Sequence, residues 1–265
     1  MSSHLNQHSQ ANKYVIKAVE RAMTVFDYIA TRGKDVSVSE VSVALELNTN
    51  MAHRLLQTMT ATGYLVQSPE TSKYSASLKV LQLGRVALNS VEIRRRAFPY
   101  LETLWRDARA ANVNLAVLQG REVVVIDRID SGGVPRTYST PGKTVPTHAS
   151  AMGKILLCEL SDDKVTELVG TGELPRFTDT TIRTLEKLRE ELKEVRTNQL
   201  SWDLAEQIPN SNCVAAPVRD ESARIVAAVS LSAFEMFLSR EQLSQAVPRL
   251  RETANSISFA MGFNN

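Results

Sequence analysis

The chain has 265 residues, of which 43% are hydrophobic and 23% are charged, a mixture typical of a globular protein and not of a disordered one. No window contains the roughly 18 consecutive apolar residues of a membrane-spanning helix, and residues 1–12 are too polar for a secretory signal. Two cysteines, Cys158 and Cys213, cannot build a disulfide framework, and the four scattered histidines lack zinc-site spacing. We therefore expect a cytoplasmic protein of one large or two ordinary domains, without a membrane, metal or cofactor partner.

Positive charge is concentrated in the first third of the chain. Residues 1–96 hold twelve Lys or Arg against seven Asp or Glu, whereas residues 97–265 hold nineteen against twenty-two. A basic module joined to a mildly acidic one is typical of a protein with a polyanion-binding part and a second part with another task. Residues 1–12 are expected to form a flexible tail.

Hydrophobic periodicity predicts three helices and a small hairpin in the first 76 residues, over about 15–32, 38–46, 49–62 and 64–75. Ser37 and Glu40 have the spacing of a capping box at the start of the second helix. Thr49 or Asn50 is expected to cap the third helix, which ends at Gly63.

The order of helix, turn, helix and hairpin is that of a winged helix-turn-helix. In such a motif the second helix lies in the DNA major groove, with its N-terminal side chains near the base edges. Asn can pair with adenine and Arg with guanine, and short polar groups suit phosphates. The side chains predicted to contact DNA are Thr49, Asn50, His53, Arg54 and, on the hairpin, Lys73. The alternative is a surface helix of a small helical bundle without a nucleic-acid partner.

A stretch with few helix breakers predicts one long helix over 78–96, and Pro99 then suits the first turn of another helix. We place the domain boundary here. The predicted organisation is a DNA-binding domain at 13–77, a linker helix at 78–96 and a second domain at 97–265.

The second domain mixes strands with helices. Strands are predicted over 113–118, 123–130, 213–218 and 225–231, and helices over 149–160, 184–198 and 240–261. Pro248 is expected to break or kink the last helix, and residues 132–146 form a loop with at most one short strand. The pattern predicts an α+β domain.

Four ordered stretches resemble the IclR-type family of bacterial transcription regulators. Val41–Tyr64, with His53-Arg54-Leu55-Leu56-Gln57-Thr58 at its centre, resembles the winged helix-turn-helix of that family. The later stretches are Lys73–Ser75 with Leu83-Gly84, His148–Lys154, and the strand pair Cys213–Val218 with Ala227–Ser232. The resemblance extends from about Lys13 to Met261 and implies an α+β, GAF-like effector domain at the C-terminus.

The resemblance also implies partners and a ligand site. It implies a double-stranded, pseudo-palindromic operator, homodimers through the DNA-binding and linker regions, and in many members homotetramers through the effector domains. It implies a small organic acid or related metabolite as effector, bound at Ala151, Met152, Asp203, Cys213, Ser230 and Ser232. A carboxylate suits this set, because helix-start N–H groups attract anions and serines two apart on a strand share a face.

This chain departs from the family pattern at several positions. Asn50-Met51 stands where many members have Ser-Thr, which bears on base preference. Ala205 occupies a position that is often Glu, and Asn210 one that is usually Gly, while Ala151 is Gly in some members. These departures bear on the identity of the effector more than on the fold.

Other interpretations of the same residues stay open. Ser230 and Ser232 could satisfy neighbouring backbone groups, Cys213 could be a small buried hydrophobe, and Asp203 could be a turn residue. A thiol hydrolase could use Cys213 with His148, although a cysteine that opens an apolar strand tends to be inert. A third possibility is a ligand-binding protein that does not contact DNA.

Overall fold

A computed structural model describes residues 15–108, 111–130 and 140–264. The predicted tail at 1–12 and part of the predicted loop at 132–146 lie outside the described residues. The chain divides into two compact units between Ala87 and Leu88, within the stretch predicted as a linker.

The N-terminal unit begins with three helices, α1 (Lys17–Arg32), α2 (Val38–Ala44) and α3 (Thr49–Ala61). Helix α1 ends at Gly33, whose φ of 63° is the left-handed conformation that glycine adopts without strain. Helix α2 starts with the predicted capping box: the Ser37 hydroxyl accepts from the Glu40 N–H, and the Glu40 carboxylate accepts from the Ser37 N–H. The helices of this unit therefore form largely where the sequence predicts them.

The cap of α3 corrects the prediction. Asn48, and not Thr49 or Asn50, caps this helix, because its Oδ1 accepts the Met51 N–H at 2.8 Å. Asn48 has the extended backbone that an N-cap position requires. Thr49 and Asn50 therefore belong to the first turn of the helix, where their side chains are exposed.

A hairpin of β1 (Leu65–Gln67) and β2 (Tyr74–Ala76) completes the winged helix-turn-helix. Each strand lies one residue later than predicted. Tyr74 is fully buried, and its backbone exchanges two hydrogen bonds with Val36, just before α2. The wing is thereby fixed to the core that the three helices share.

Two helices replace the single linker helix predicted over 78–96. Helix α4 covers Lys79–Ser90 and α5 covers Glu92–Asp107, with Val91 between them in an extended conformation. Pro99 lies inside α5 and not in its first turn. The prediction was wrong because Val91 is compatible with helical periodicity, so the apolar pattern gives no sign of a one-residue break.

The C-terminal unit is built on a six-stranded antiparallel sheet in the order β5–β4–β3–β8–β7–β6. Its strands are β3 (Asn112–Gln119), β4 (Glu122–Ile129), β5 (Thr144–Val145), β6 (Ser201–Leu204), β7 (Ser211–Arg219) and β8 (Ile225–Phe234). A bulge interrupts the pairing of β3 with β4: Leu115 pairs with Asp127 and Ala116 with Val125, which leaves Ile126 as the extra residue.

Helices cover both faces of this sheet. They are α5 together with α6 (Ala151–Leu157), α7 (Asp162–Val169), α8 (Leu185–Asn198), α9 (Arg240–Gln245) and α10 (Val247–Ala260). Helices α5 and α10 pack on one face, against residues such as Val113 and Leu231. Helices α6, α7 and α8 pack on the other, against residues such as Ala215 and Ala228. The predicted α+β class and the break near Pro248 are confirmed, whereas the helix predicted over 149–160 is limited to Ala151–Leu157.

Candidate DNA-binding and effector sites

The exposed face of α3 carries all of its predicted DNA contacts. Its buried residues, Ala52, Leu56 and Met59, fix the helix on the core of the N-terminal unit. The opposite face leaves the side chains of Thr49, Asn50, His53 and Arg54 exposed. Exposed side chains of different lengths that carry hydrogen-bond donors can reach both phosphates and base edges.

Gln57 lies one turn beyond His53 on the same face and is not among the contacts predicted from the sequence. Its Nε2 donates to the Tyr74 hydroxyl at 2.9 Å, which connects α3 to the wing. Lys73, the predicted contact on the wing, is exposed next to Tyr74. The Gln57 contact was not predictable, because it depends on how the hairpin folds back on the helix.

Four polar side chains meet on the side of the sheet that faces α6. On β8, Ser230 and Ser232 point to this side, and the cross-strand partner of Ser232 is Cys213 on β7. Cys213 in turn pairs with Asp203 on β6. Asn114 on β3 donates from Nδ2 to both serine Oγ atoms at 3.2 Å. The structure therefore brings together the four predicted strand residues and adds Asn114.

Asp203 is 6% exposed, and burial raises the pKa of its carboxyl to about 7. The Oδ1 atom accepts the Glu206 N–H at 2.7 Å and the Gln207 N–H at 3.3 Å, which opposes that rise. A carboxyl with this pKa is partly protonated near neutral pH. It can then donate a hydrogen bond and does not repel an anion as a full charge would.

The start of α6 is held tightly against its surroundings. Ser150 caps the helix by accepting the Gly153 N–H at 3.1 Å, and the Ser201 hydroxyl donates to the Ala151 carbonyl at 2.5 Å. A Cβ atom on Gly153 would lie 2.2 Å from the Thr147 carbonyl oxygen, so this position requires glycine. Ala151 and Met152, both predicted effector residues, are buried here.

Lys154 is fully buried, although nothing in the sequence pattern predicts this. Its Nζ lies 2.6 Å from Glu206 Oε1 and 3.0 Å from Glu191 Oε1. Burial raises the pKa of Glu206, and the Lys154 charge opposes the rise. This ion cluster connects α6 and α8 to the loop after β6, directly beside Asp203.

Burial disfavours the charged forms of both cysteines and of His148. Burial raises the pKa of the Cys213 thiol to about 12 and that of Cys158 to about 11. His148 Nε2 lies 2.9 Å from the Pro175 carbonyl oxygen, and burial lowers its pKa. Within the described ranges no group of three or more His, Cys, Asp or Glu is placed to hold a metal ion. None of the helices in the described part of the chain is long and apolar enough to cross a membrane.

A winged helix-turn-helix with a polar exposed recognition face, joined to an α+β unit with a buried polar site, defines a ligand-responsive DNA-binding protein. The sequence matches two domains of one known family. Residues 18–69 match the IclR helix-turn-helix domain, and residues 85–259 match the bacterial transcriptional regulator IclR C-terminal domain. The chain belongs to the IclR family of transcription regulators, as the sequence motifs predicted.

The similarity to known relatives extends over almost the whole chain. The HTH-type transcriptional regulator KdgR of Escherichia coli K12 is 32% identical over 250 residues, covering 94% of this chain and 95% of KdgR. A transcriptional regulator from Rhodococcus sp. RHA1 of known structure is 27% identical with a TM-score of 0.78, covering 93% and 98% of the two chains. An IclR homologue from Microbacterium hydrocarbonoxydans, solved with 4-hydroxybenzoate, is 22% identical with a TM-score of 0.76, covering 92% and 98%.

Proposed function

We propose that α3 reads an operator in the major groove and that an organic acid bound at the sheet controls this binding. Thr49, Asn50, His53 and Arg54 would contact the DNA from α3, and Lys73 would contact the backbone from the wing. The observation that carries the DNA part is the uninterrupted exposed polar face of α3. A regulator of chromosomal genes works where the DNA is, so we place the protein in the cytoplasm.

Selection from a random duplex pool tests the DNA part whatever the operator sequence is. We expect enrichment of a pseudo-palindromic sequence that the full chain binds with steep salt dependence. The logarithm of affinity should fall by about 0.9 per neutralised phosphate for each unit of log salt. Absence of any enriched sequence, or affinity that does not change with salt, would contradict DNA as the partner.

A second copy of the chain would supply the other half of the operator contact. Helices α1 and α4 and the N-cap residue of α1 expose several large apolar side chains: Ile16, Val19, Met23, Leu81, Leu83 and Val86. Two of them, Met23 and Leu83, line a groove of about 640 Å³ within the N-terminal unit. Exposed apolar surface on this scale is typical of a protein interface, and a pseudo-palindrome requires two recognition helices. We therefore propose a homodimer through α1 and α4, which can associate further into a homotetramer.

Light scattering tests the dimer. Leu81→Lys with Val86→Lys should give a monomer that loses high-affinity operator binding. Met236→Lys is the control, because Met236 is an apolar side chain at least as exposed as Leu81 and Val86 but lies on the C-terminal unit. A double variant that stays dimeric would place the interface elsewhere.

The effector site would be formed by Ala151, Met152, Asp203, Cys213, Ser230 and Ser232, with a carboxylate as ligand. The Ser232 hydroxyl and a partly protonated Asp203 offer donors to an anion, and Ser230 lies beside them on the same face of β8. The site would bind its ligand without transforming it, because a thiol with a pKa of about 12 is not ionised at neutral pH. Ligand binding would bias the placement of the two recognition helices and so change operator affinity.

Replacing Ser230 and Ser232 together by Ala tests the effector site. The double variant should fold and bind the operator, but its operator affinity should no longer respond to ligand. Ser244→Ala, on the exposed face of α9, is the control that should keep the response. Retained ligand affinity in the double variant would remove the serines from the site.

A further inference from the structure

Arg128 on β4 extends the polar group beyond the residues discussed so far. It pairs across the sheet with Asn114, so both side chains lie on the side that faces α6. The Arg128 side chain is 3% exposed and forms an ion pair with Asp130. Its Nη1 lies 3.5 Å from Asn114 Oδ1. A buried guanidinium therefore stands at one end of the row that continues through Asn114 to the serines.

The chemistry of this row determines which way the Asn114 amide faces. A guanidinium has donors and no acceptor, so it favours the carbonyl end of the amide. With Oδ1 toward Arg128, the NH₂ group faces the serines and donates to Ser230 and Ser232 at 3.2 Å each. The reversed amide would place its N–H groups against the donors of Arg128 and is disfavoured.

The serines are consequently set as donors. Each serine oxygen already accepts a hydrogen bond from the Asn114 NH₂ group. Each hydroxyl proton must therefore point to another acceptor. The Ser230 hydroxyl opposes the rise in the pKa of the Cys213 thiol, as a donor to that sulfur would, so its proton is directed to Cys213. Ser232 is the more accessible of the two serines, so its hydroxyl would donate to a bound ligand. A site prepared in this way favours ligand groups that only accept.

We propose that Arg128, acting through Asn114, is the positioning residue that makes the effector site selective for a carboxylate over the corresponding amide. This inference rests on the effector site proposed above. A carboxylate accepts at both oxygens, so it can take the Ser232 proton together with the proton of the Asp203 carboxyl on the other side of Cys213. An amide accepts at its carbonyl end only, so its NH₂ end would meet one of these two donors. The selectivity thus depends on an arginine that need not touch the ligand.

The test uses the full chain and three matched pairs of probes: benzoate with benzamide, pyruvate with pyruvamide, and lactate with lactamide. Binding is measured by thermal shift and by calorimetry. In the unaltered chain we expect the acids to bind roughly tenfold or more tightly than their amides, the range that one hydrogen bond to a charged group provides. Arg128→Met should reduce that ratio toward one, and Arg128→Lys, which keeps a donor for Oδ1, should restore most of it.

Two further variants separate positioning from folding. Asn114→Asp keeps the shape but removes the NH₂ donors, so both serine protons turn to the new carboxylate and acid binding should be lost. Arg106→Met, on the exposed side of α5, is the matched control and should keep the ratio. Circular dichroism melts confirm that each variant is folded at the assay temperature.

The possible results distinguish this inference from the proposed effector site. Equal binding of acids and amides, or an unchanged ratio in folded Arg128→Met, would overturn the inference and leave the site in place. If no acid or amide binds the unaltered chain, the proposed site for organic acids fails, and the inference fails with it.

Discussion

Arg94 Nε lies 3.2 Å from Asp127 Oδ2 and donates to the Ile126 carbonyl oxygen at 3.0 Å. Ile126 is the extra residue of the bulge in β4, so the first turn of α5 is fastened to the irregular part of that strand. Asp127 faces α5, and the next residue, Arg128, faces the effector side of the sheet. The two faces are thus connected through consecutive residues of β4, close to where α5 continues from α4.

This ion pair predicts unequal effects of its two single variants. Arg94→Gln leaves the Asp127 carboxylate buried without its cation and should destabilise the chain more than Asp127→Asn does. Without Arg94 the pKa of Asp127, which burial already raises, should rise further. The Arg94→Gln variant should therefore regain stability as pH falls, because the folded state then takes up the proton. Equal melting temperatures for the two variants at pH 8 would contradict this contact.

The same contact is expected to transmit the ligand signal. Arg94→Gln combined with Asp127→Asn removes both charges and should largely keep the fold. We expect operator and ligand affinities to change little, while the effect of ligand on operator affinity decreases. Fluorescence anisotropy with and without ligand measures this effect, and an undiminished ligand effect in the double variant would exclude the contact as a route.

Arg54→Ala should weaken operator binding by about 1–3 kcal/mol, roughly five- to 150-fold, without lowering the melting temperature. The physical reason is that Arg54 is exposed one turn into α3, where it can reach a base edge or a phosphate. Lys193→Ala on α8 removes a positive charge elsewhere and serves as the control. Unchanged operator affinity in folded Arg54→Ala would remove this residue from the interface.

The pKa of Asp203 predicts how stability depends on pH. The folded state holds a proton up to about pH 7 that the unfolded chain releases near pH 4, so the free energy of unfolding should fall as pH rises between these values. Asp203→Asn should flatten that fall by at most about 1.4 kcal/mol per pH unit. The variant and the unaltered chain both keep the titratable groups that face Asp203, which are Glu206, Cys213 and Lys154. The difference between their free energies of unfolding therefore reports on Asp203 and its coupling to these groups.

Denaturant unfolding between pH 5 and 8 measures this difference in ligand-free protein. Asp163→Asn, in the exposed first turn of α7, is the control and should follow the unaltered chain. Parallel curves for Asp203→Asn and the unaltered chain would show that the Asp203 pKa is not raised.

Two glycine substitutions should differ in their effect on the free energy of unfolding. Gly153→Ala forces a Cβ against the Thr147 backbone and should cost about 1–3 kcal/mol, with loss of ligand binding because the start of α6 must move. Gly84→Ala in α4 meets nothing within 4 Å and should be neutral or stabilising by up to about 1 kcal/mol. Thermal melts compare them, and a Gly153→Ala variant as stable as the unaltered chain would contradict the close approach.

The sequence predicted most elements for which local signals exist. Gly33, the Ser37–Glu40 box and the alternating strands have signatures that depend on nearby residues, and the structure contains them. The break at Val91 and the short strand β6 lack such signatures. Helix α7 was also missed, since its eight residues follow a serine cap with little apolar periodicity.

The candidate sites also combine residues that local sequence patterns reveal with residues whose roles depend on contacts far away in the sequence. The side of α3 on which a residue lies follows from the helical period, so the exposure of the residues proposed to contact DNA was predictable. Asn114, Arg128 and the buried Lys154 were not, because their roles depend on strand order and on carboxylates far away in the sequence. A lysine in a seven-residue helix gives no sign that two glutamates will enclose it.

Ligand binding and operator binding should be linked, and calorimetry with and without operator tests this linkage most directly. The full chain is titrated with the acid that the probe screen identifies, first alone and then saturated with the selected duplex. Linkage requires the affinity for the acid to change by the same factor by which the acid changes operator affinity. We predict a change of at least about fivefold, and identical acid affinity in the two titrations would contradict the account.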